Sequence, residues 1–367
     1  MKNHKLLKSL ILILCSVVFI QCTSDPIAGP AGADGINGAD GTNGINGVDG
    51  ATGTATCVAC HSESHRDPVN SSYLVSNHSI DKLAFGPGTL SDYINHDVKE
   101  TESNEYYNPD CNRCHSSQGF IDNLNGTFVA GVAYDKVDGV SCNTCHDKHG
   151  TFDFETDGHD FALRTLSPVT LAFDETIVLD YGTSNTCINC HQPKDGAPIN
   201  DGTDTYEITS PYFGPHYGAQ STMLEGIQGA EIAGSMSYEN AGTAKHRTNA
   251  SCTSCHMGSA NDNDGEHTMK PTLNSCTTCH SGATSFDVNG TKTTLTGLLS
   301  ELQELLVTKG ILTPNAYGGV DVVQGTHPFK LVQAYWNWKF IKSDGSHGIH
   351  NPVYTKALLT NSIESLK

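Results

Sequence analysis

Six pentapeptides in this 367-residue chain have the form Cys-x-x-Cys-His. They are Cys57/Cys60/His61, Cys111/Cys114/His115, Cys142/Cys145/His146, Cys187/Cys190/His191, Cys252/Cys255/His256 and Cys276/Cys279/His280. In each, two thiols are spaced to add across the two vinyl groups of one haem, and the adjoining imidazole falls beneath the iron as its proximal ligand. A zinc knuckle or a redox dithiol also uses Cys-x-x-Cys, but neither requires a histidine directly after the second cysteine. Histidine follows in all six, so the motifs predict six covalently bound haem c groups, with iron as the metal. Twelve of the 14 cysteines are used in this way. The other two, Cys15 and Cys22, lie near the N-terminus, and none is left for a structural disulfide.

An iron capped on both faces needs a second imidazole. Beyond the motifs and the first 22 residues there are eleven histidines: His65, His78, His96, His149, His159, His216, His246, His267, His327, His347 and His350. Six distal ligands are required, so the supply exceeds the demand and the sequence alone leaves the assignment open. A lone histidine more often sits on the surface or in a satisfied hydrogen bond. His149 is informative because it follows His146 by three residues. It cannot reach the far face of the iron that His146 holds, so as a ligand it would serve a neighbouring haem. On that reading Cys142–His149 is a node between two haems.

Several segments resemble bacterial multihaem cytochromes c of the cell surface and periplasm, loosely related to ammonia-forming nitrite reductases and multihaem tetrathionate reductases. They are Cys187–His191, Gly214-Pro215-His216-Tyr217-Gly218, Cys252–Met257, Gly265-Glu266-His267-Thr268 and Gly348-Ile349-His350-Asn351-Pro352. The resemblance extends over residues 57–367. It implies that His216, His267 and His350 are distal ligands, and that His78, His149 and His246 stand at similar distal positions. His65 and His96 are the first reserves, with His159 behind them. Met257 adjoins a proximal histidine and points away from that iron, so it reads as packing. Methionine ligation, which would raise the potential, is not expected. The implied function is electron transfer through bis-histidine haems. The alternative is a reductase of nitrite, hydroxylamine or tetrathionate with one open haem face. Ammonia-forming nitrite reductases place lysine in the motif of the active haem, whereas every motif here ends in histidine.

The elements that hold these groups are expected to be modest: a mostly irregular chain with short α-helices, little β-sheet and a core packed on the haems. The gaps between motif starts are 54, 31, 45, 65 and 24 residues, so the motifs are not an array of equal modules. One continuous haem domain, 57–367, is the simpler organisation. Three helices are predicted near its C-terminus. Leu295, Leu298, Leu299, Leu302, Leu305 and Leu306 share one helical face, ended by Gly310. A second helix begins at Pro328 and carries Phe329, Val332, Tyr335, Trp336 and Phe340. A third starts at Asn351-Pro352, an N-cap followed by proline at the first helical position. These stripes are read as packing that braces the haems and carries no chemistry of its own. Asn261-Asp262-Asn263-Asp264-Gly265 reads as a turn, because the twelfth position of a calcium loop would fall on Pro271.

Residues 1–22 read as a secretory signal, with Lys2, Lys5 and Lys8 before an apolar run from Leu10 to Ile20 that is too short to span a bilayer. Its end, Phe19-Ile20-Gln21-Cys22, resembles a lipoprotein signal in which Cys22 would be acylated. Residues 23–56 form a tether, with glycine at every third position from Gly29 to Gly53. It would extend to about 75 Å as polyproline II, or average about 28 Å as a flexible coil. The formal charge is −19, and loss of the three signal lysines takes it to −22. Such a surface excludes nucleic acid as a partner. It suits redox proteins with basic patches, another cytochrome, or a positively charged mineral. A location at the outer membrane, the cell surface or the periplasm follows from the signal. Stacking of copies into a homo-oligomer or filament is permitted, and no residue demands it.

Overall fold

The computed structural model describes residues 57, 60–79, 84–85, 88–89, 109–132, 134, 139–153, 156, 161–259 and 264–367. The signal at 1–22 with Cys22, the tether to residue 56, His96, His159 and most of the Asn261 turn lie outside the described residues.

The motifs are built on single turns of helix. Cysteines at i and i+3 share one face of a helix, so a short helical turn presents both sulfurs to one side. After α1 (Glu63–Leu74) and the strand pair β1 (Ala84–Phe85) and β2 (Gly88–Thr89), α2 (Asn112–His115) carries the second motif. It leads into α3 (Ser117–Leu124), whose N-cap Ser116 accepts from the Gly119 amide at 3.0 Å. A Cβ at Gly119 would stand 2.3 Å from the Asn112 carbonyl oxygen, so glycine is what lets these two turns close up. Next, α4 (Cys142–Cys145) bears the third motif and is tied to α3 by the Ser117–Thr144 hydroxyl pair at 2.6 Å.

Two strands, β3 (Val169–Leu171) and β4 (Asp174–Leu179), pair antiparallel ahead of α5 (Asn185–Ile188), which holds Cys187. Then come β5 (Thr205–Ile208), α6 (Gln220–Glu225), α7 (Lys245–Asn249), α8 (Cys252–His256) and α9 (Leu273–Thr277). The chain ends with α10 (Thr291–Thr308), the antiparallel pair β6 (Leu312–Pro314) and β7 (Val320–Val322), β8 (Gly325–Pro328), α11 (Phe329–Asp344) and α12 (Pro352–Leu366). Strand β8 pairs antiparallel with β5 in the register Thr205 to Pro328 and Ile208 to Gly325. The sheets are thus pairs of short strands between short helices, as the composition implies.

The three C-terminal helices lie where the apolar spacing puts them. Leu295, Leu302 and Leu306 of α10 are buried, and Leu298, Leu299 and Leu305 flank them half-buried. Gly310, at φ +80°, follows the helix end in the left-handed region that suits glycine. The Asn351 side chain caps α12 by accepting from the Tyr354 amide at 3.1 Å. Between them α11 buries Trp336, Phe340 and Ile341, and its Asn337 is anchored on both sides of the Ala230 backbone at 2.7 and 2.8 Å. Residues 291–367 therefore pack on one another and on Ile208, Met223 and Ile232, as an apolar core beside the motifs. Among the described residues, no helix is long and apolar enough to cross a membrane.

Candidate haem centres

Each motif histidine faces one histidine from outside the motifs. The ring centroids are 6.0 Å apart for His61 and His149, 6.1 Å for His115 and His216, and 6.2 Å for His146 and His267. They are 5.9 Å apart for His191 and His78, 6.2 Å for His256 and His350, and 6.3 Å for His280 and His246. Two imidazole nitrogens about 2 Å from a shared metal, with each ring centre roughly 1 Å further out, would put the centroids roughly 6 Å apart. Separation alone is not decisive, because ordinary aromatic pairs also meet at such distances. The pairing rule is what distinguishes these six: one motif ring and one other ring in every case.

The surroundings fit a large, flat, carboxylate-bearing group such as haem. None of the twelve histidines is fully enclosed. Phe152, Phe161 and Tyr217 are 73, 70 and 68 % exposed. Phe152 stands 5.7 Å from His149, and Tyr217 5.7 Å from His216. Such exposed aromatics are expected where an apolar macrocycle would cover them. In the second motif, Arg113 Nε and the Asn112 amide are buried without hydrogen-bond partners, a suitable setting for a haem carboxylate.

The twelve motif cysteines are not equally enclosed. Eight are half-buried, whereas Cys57, Cys60, Cys142 and Cys279 are exposed. Cys279 departs furthest from the expectation of two thiols on one helical turn. Helix α9 stops at Thr277, so it carries Cys276 and leaves Cys279 in the turn that follows. The physical reason is a tightening of the chain at the helix end. The Cys279 amide donates to the Cys276 carbonyl at 3.2 Å, closing a three-residue turn, while the His280 amide donates to the same carbonyl at 2.8 Å. Cys190 ends α5 in the same way, with its amide on the Cys187 carbonyl at 3.2 Å, yet it is half-buried against the second motif. The sixth motif therefore shows its second thiol to solvent, and its place as a haem-binding residue is carried by the Cys-x-x-Cys-His pattern and by the His280–His246 pair.

Local structure explains how the distal rings are presented. His216 sits at φ +65°, in the left-handed region, on a loop docked against the residues that follow the fourth motif. There Lys194 donates its amide to the Pro215 carbonyl at 3.0 Å, and a Cβ at Gly218 would meet the Gln192 carbonyl oxygen at 2.1 Å. His267 lies in a tight turn between Gly265 (φ +88°) and Met269 (φ +57°). The Met269 carbonyl at the end of that turn accepts from His256 Nδ1 at 2.9 Å. Likewise, the Ile349 carbonyl accepts from His246 Nδ1 at 2.5 Å, one residue before His350. The segment that brings a ring to one histidine pair thus orients a ring of the next. Phe161 accepts from His146 Nδ1 at 2.8 Å, and Gln220 Oε1 pairs with His191 Nδ1 at 3.2 Å.

Burial favours the neutral form, which is the form that binds a metal, in six of these rings. Burial, with the His191 and His256 imidazoles close by, pushes His78 down to about 4. Burial and the nearby His216 and His191 do the same to His115, also to about 4. His191, His216, His256 and His267 are shifted down as well, chiefly by burial. His350 is the exception: burial lowers it, but the Asp344 carboxylate outweighs that and the net shift is upward.

The six distal histidines expected from the sequence are therefore the six that meet motif rings. Among the reserves, His65 is exposed on α1 and pairs with no motif ring among the described contacts. His327 is engaged with the Val323 carbonyl at 2.7 Å. The sequence reading missed Asp344, whose carboxylate meets His350 Nδ1 at 2.6 Å. It ends a helix read as packing alone.

Residues 56–147, which span the first three motifs, match the family model of cytochrome c554 and c-prime. Among solved structures, the chain is similar to the outer cell wall cytochrome OcwA, at 18 % identity and a TM-score of 0.45, over 82 % of this chain and 50 % of that one. It is also similar to an undecahaem cytochrome from the S-layer of Carboxydothermus ferrireducens, at 19 % identity and a TM-score of 0.44, over 72 % of this chain and 38 % of that one. The chain spans half the length of the first and less of the second. No curated protein sequence matches it. The similarity to this cytochrome family thus covers the first three attachment motifs, and the same Cys-x-x-Cys-His pattern recurs three more times beyond it. The motifs and the family match point to haem c as the cofactor.

Proposed function

We propose that this chain binds six haem c groups, each between two imidazoles, and conducts electrons between a donor and an acceptor outside the cytoplasm. The observation that carries this reading is the six-for-six pairing of motif and non-motif histidine rings at 5.9–6.3 Å. Haem iron supplies the chemistry by alternating between its ferric and ferrous states. The protein sets ligation, spacing and burial. Close spacing is supported by side-chain contacts between Cys114 and Cys190, and between Cys187 and Cys252, which bring the second, fourth and fifth motifs together.

The N-terminal segment supports export, acylation at Cys22 would hold the protein on a membrane, and the glycine-repeat tether would lift the haem domain away from it. The net negative charge suits redox proteins with basic patches, another cytochrome, or a positively charged mineral as partner. The test is a haem count by pyridine haemochrome and intact mass, with a spectrum of the ferric protein. Six haems, all low-spin, are expected. Fewer haems or a sizeable high-spin fraction would overturn the reading. The pairing leaves no motif histidine unopposed, so no turnover is expected with nitrite, hydroxylamine or tetrathionate.

A further inference from the structure

We propose that Asp344 is a redox-positioning residue: it holds the centre between His256 and His350 at a lower potential than its neighbour between His191 and His78. This rests on the bis-histidine reading above and extends it to an energetic step between two particular centres.

The Asp344 side chain has no solvent exposure, and its Oδ1 lies 2.6 Å from His350 Nδ1. Its other oxygen, Oδ2, accepts from the Ser346 amide at 3.2 Å and from the Ser346 hydroxyl. Ser346 Oγ in turn accepts from the His350 amide at 3.2 Å, so ring and carboxylate are fixed in one small cage. With Nε2 turned to the metal, Nδ1–H donates to the carboxylate. Such a partner makes the imidazole a stronger electron donor, which stabilises the ferric state and lowers the potential.

The neighbouring centre is built differently. His191 Nδ1 meets a neutral amide, Gln220 Oε1, at 3.2 Å, and His78 Nδ1 is buried with no hydrogen-bond partner. A buried imidazole without that support donates less strongly. The two centres are joined through α11: Gln220 Nε2 donates to the Asp344 backbone carbonyl at 3.2 Å, while the Asp344 side chain reaches His350. The Cys252 amide also donates to Ser184 Oγ at 3.1 Å, just ahead of the fourth motif. A carboxylate on one side of this junction and a neutral amide on the other set the direction of the step. Electrons come to rest on the His191/His78 side.

The test is a potentiometric titration of the full haem-loaded protein, followed by visible and EPR spectra, for wild type and Asp344→Asn. Asparagine keeps an acceptor for Nδ1–H and removes the charge. One of the six midpoint potentials should rise, with the reduction equilibrium shifted about tenfold, or about 59 mV for a one-electron couple. Unchanged potentials in a variant that keeps six low-spin haems would overturn the proposal. Should Asp344→Asn fail to assemble, Ser346→Ala decides. It removes a donor from Oδ2, leaves more charge facing His350, and should move the same potential downward. No shift, or an upward one, overturns the proposal. His350→Ala separates the two layers of argument: if no haem becomes high-spin, the bis-histidine reading itself falls.

Discussion

His149 lies opposite His61 with ring centroids 6.0 Å apart, while His146, three residues earlier, lies opposite His267 at 6.2 Å. One stretch of eight residues therefore supplies a ring to each of two histidine pairs, which ties the spacing of the pairs to the local geometry of the chain. Replacing His149 with alanine should leave six haems covalently attached and turn one of them five-coordinate and high-spin. The appearance of a high-spin charge-transfer band, with unchanged haem count by intact mass, is the measurement. An unaltered spectrum would mean that His149 is a surface residue.

The ring planes make a second prediction. Four pairs are close to perpendicular: His61 with His149 at 76°, His78 with His191 at 82°, His115 with His216 at 84°, and His246 with His280 at 87°. The other two, His146 with His267 and His256 with His350, are tilted by 36° and 41°. Perpendicular imidazoles leave the two iron dπ orbitals nearly equal in energy, whereas tilted ones split them. EPR of the ferric protein at low temperature should resolve a majority of highly anisotropic low-spin signals and a minority of ordinary rhombic ones, in a ratio near two to one.

Much of this was legible in the residues. The motifs name themselves, because the second cysteine and its histidine are adjacent in the chain. The C-terminal helices were legible because leucine spacing, Gly310 and Asn351-Pro352 are local signals. The partnership of rings was not. His78 meets His191 and His115 meets His216 across long separations, through turns whose course depends on contacts such as Gly218 against Gln192. Nor does the pattern tell how far each thiol is enclosed: Cys190 and Cys279 occupy the same place in their motifs, and only the packing of the second motif on the fourth separates them. Asp344 was invisible for a similar reason. It closes an apolar helix, and only the turn through Ser346 brings His350 back onto its carboxylate.

The C-terminal helices make stability partly separable from the redox centres. Leu302 is fully buried among α10, α11 and α12. Leu302→Ala should cost about 2–5 kcal/mol through lost burial and the cavity left behind. Thermal unfolding should begin at a lower temperature, while the haem count and the low-spin spectrum at 25 °C stay as in wild type. A changed spectrum would mean that this core also sets the ligands.

The fourth motif should be the least dispensable. Cys190 contacts Cys114, Cys187 contacts Cys252, and Cys114 Sγ lies 3.8 Å from the Asn189 carbonyl oxygen. By contrast, Cys57 and Cys60 are exposed. Changing Cys57 and Cys60 together to alanine should lower the mass by one haem and leave the other five low-spin. The same change at Cys187 and Cys190 alters thiols that lie beside the second and fifth motifs, and it leaves His78 and His191 without the haem they would share. That variant should lose one haem by mass, shift the spectra of its neighbours and slow electron passage across the whole chain in stopped-flow reduction. If the two double variants behave alike, the motifs act as independent beads and the fourth is no junction.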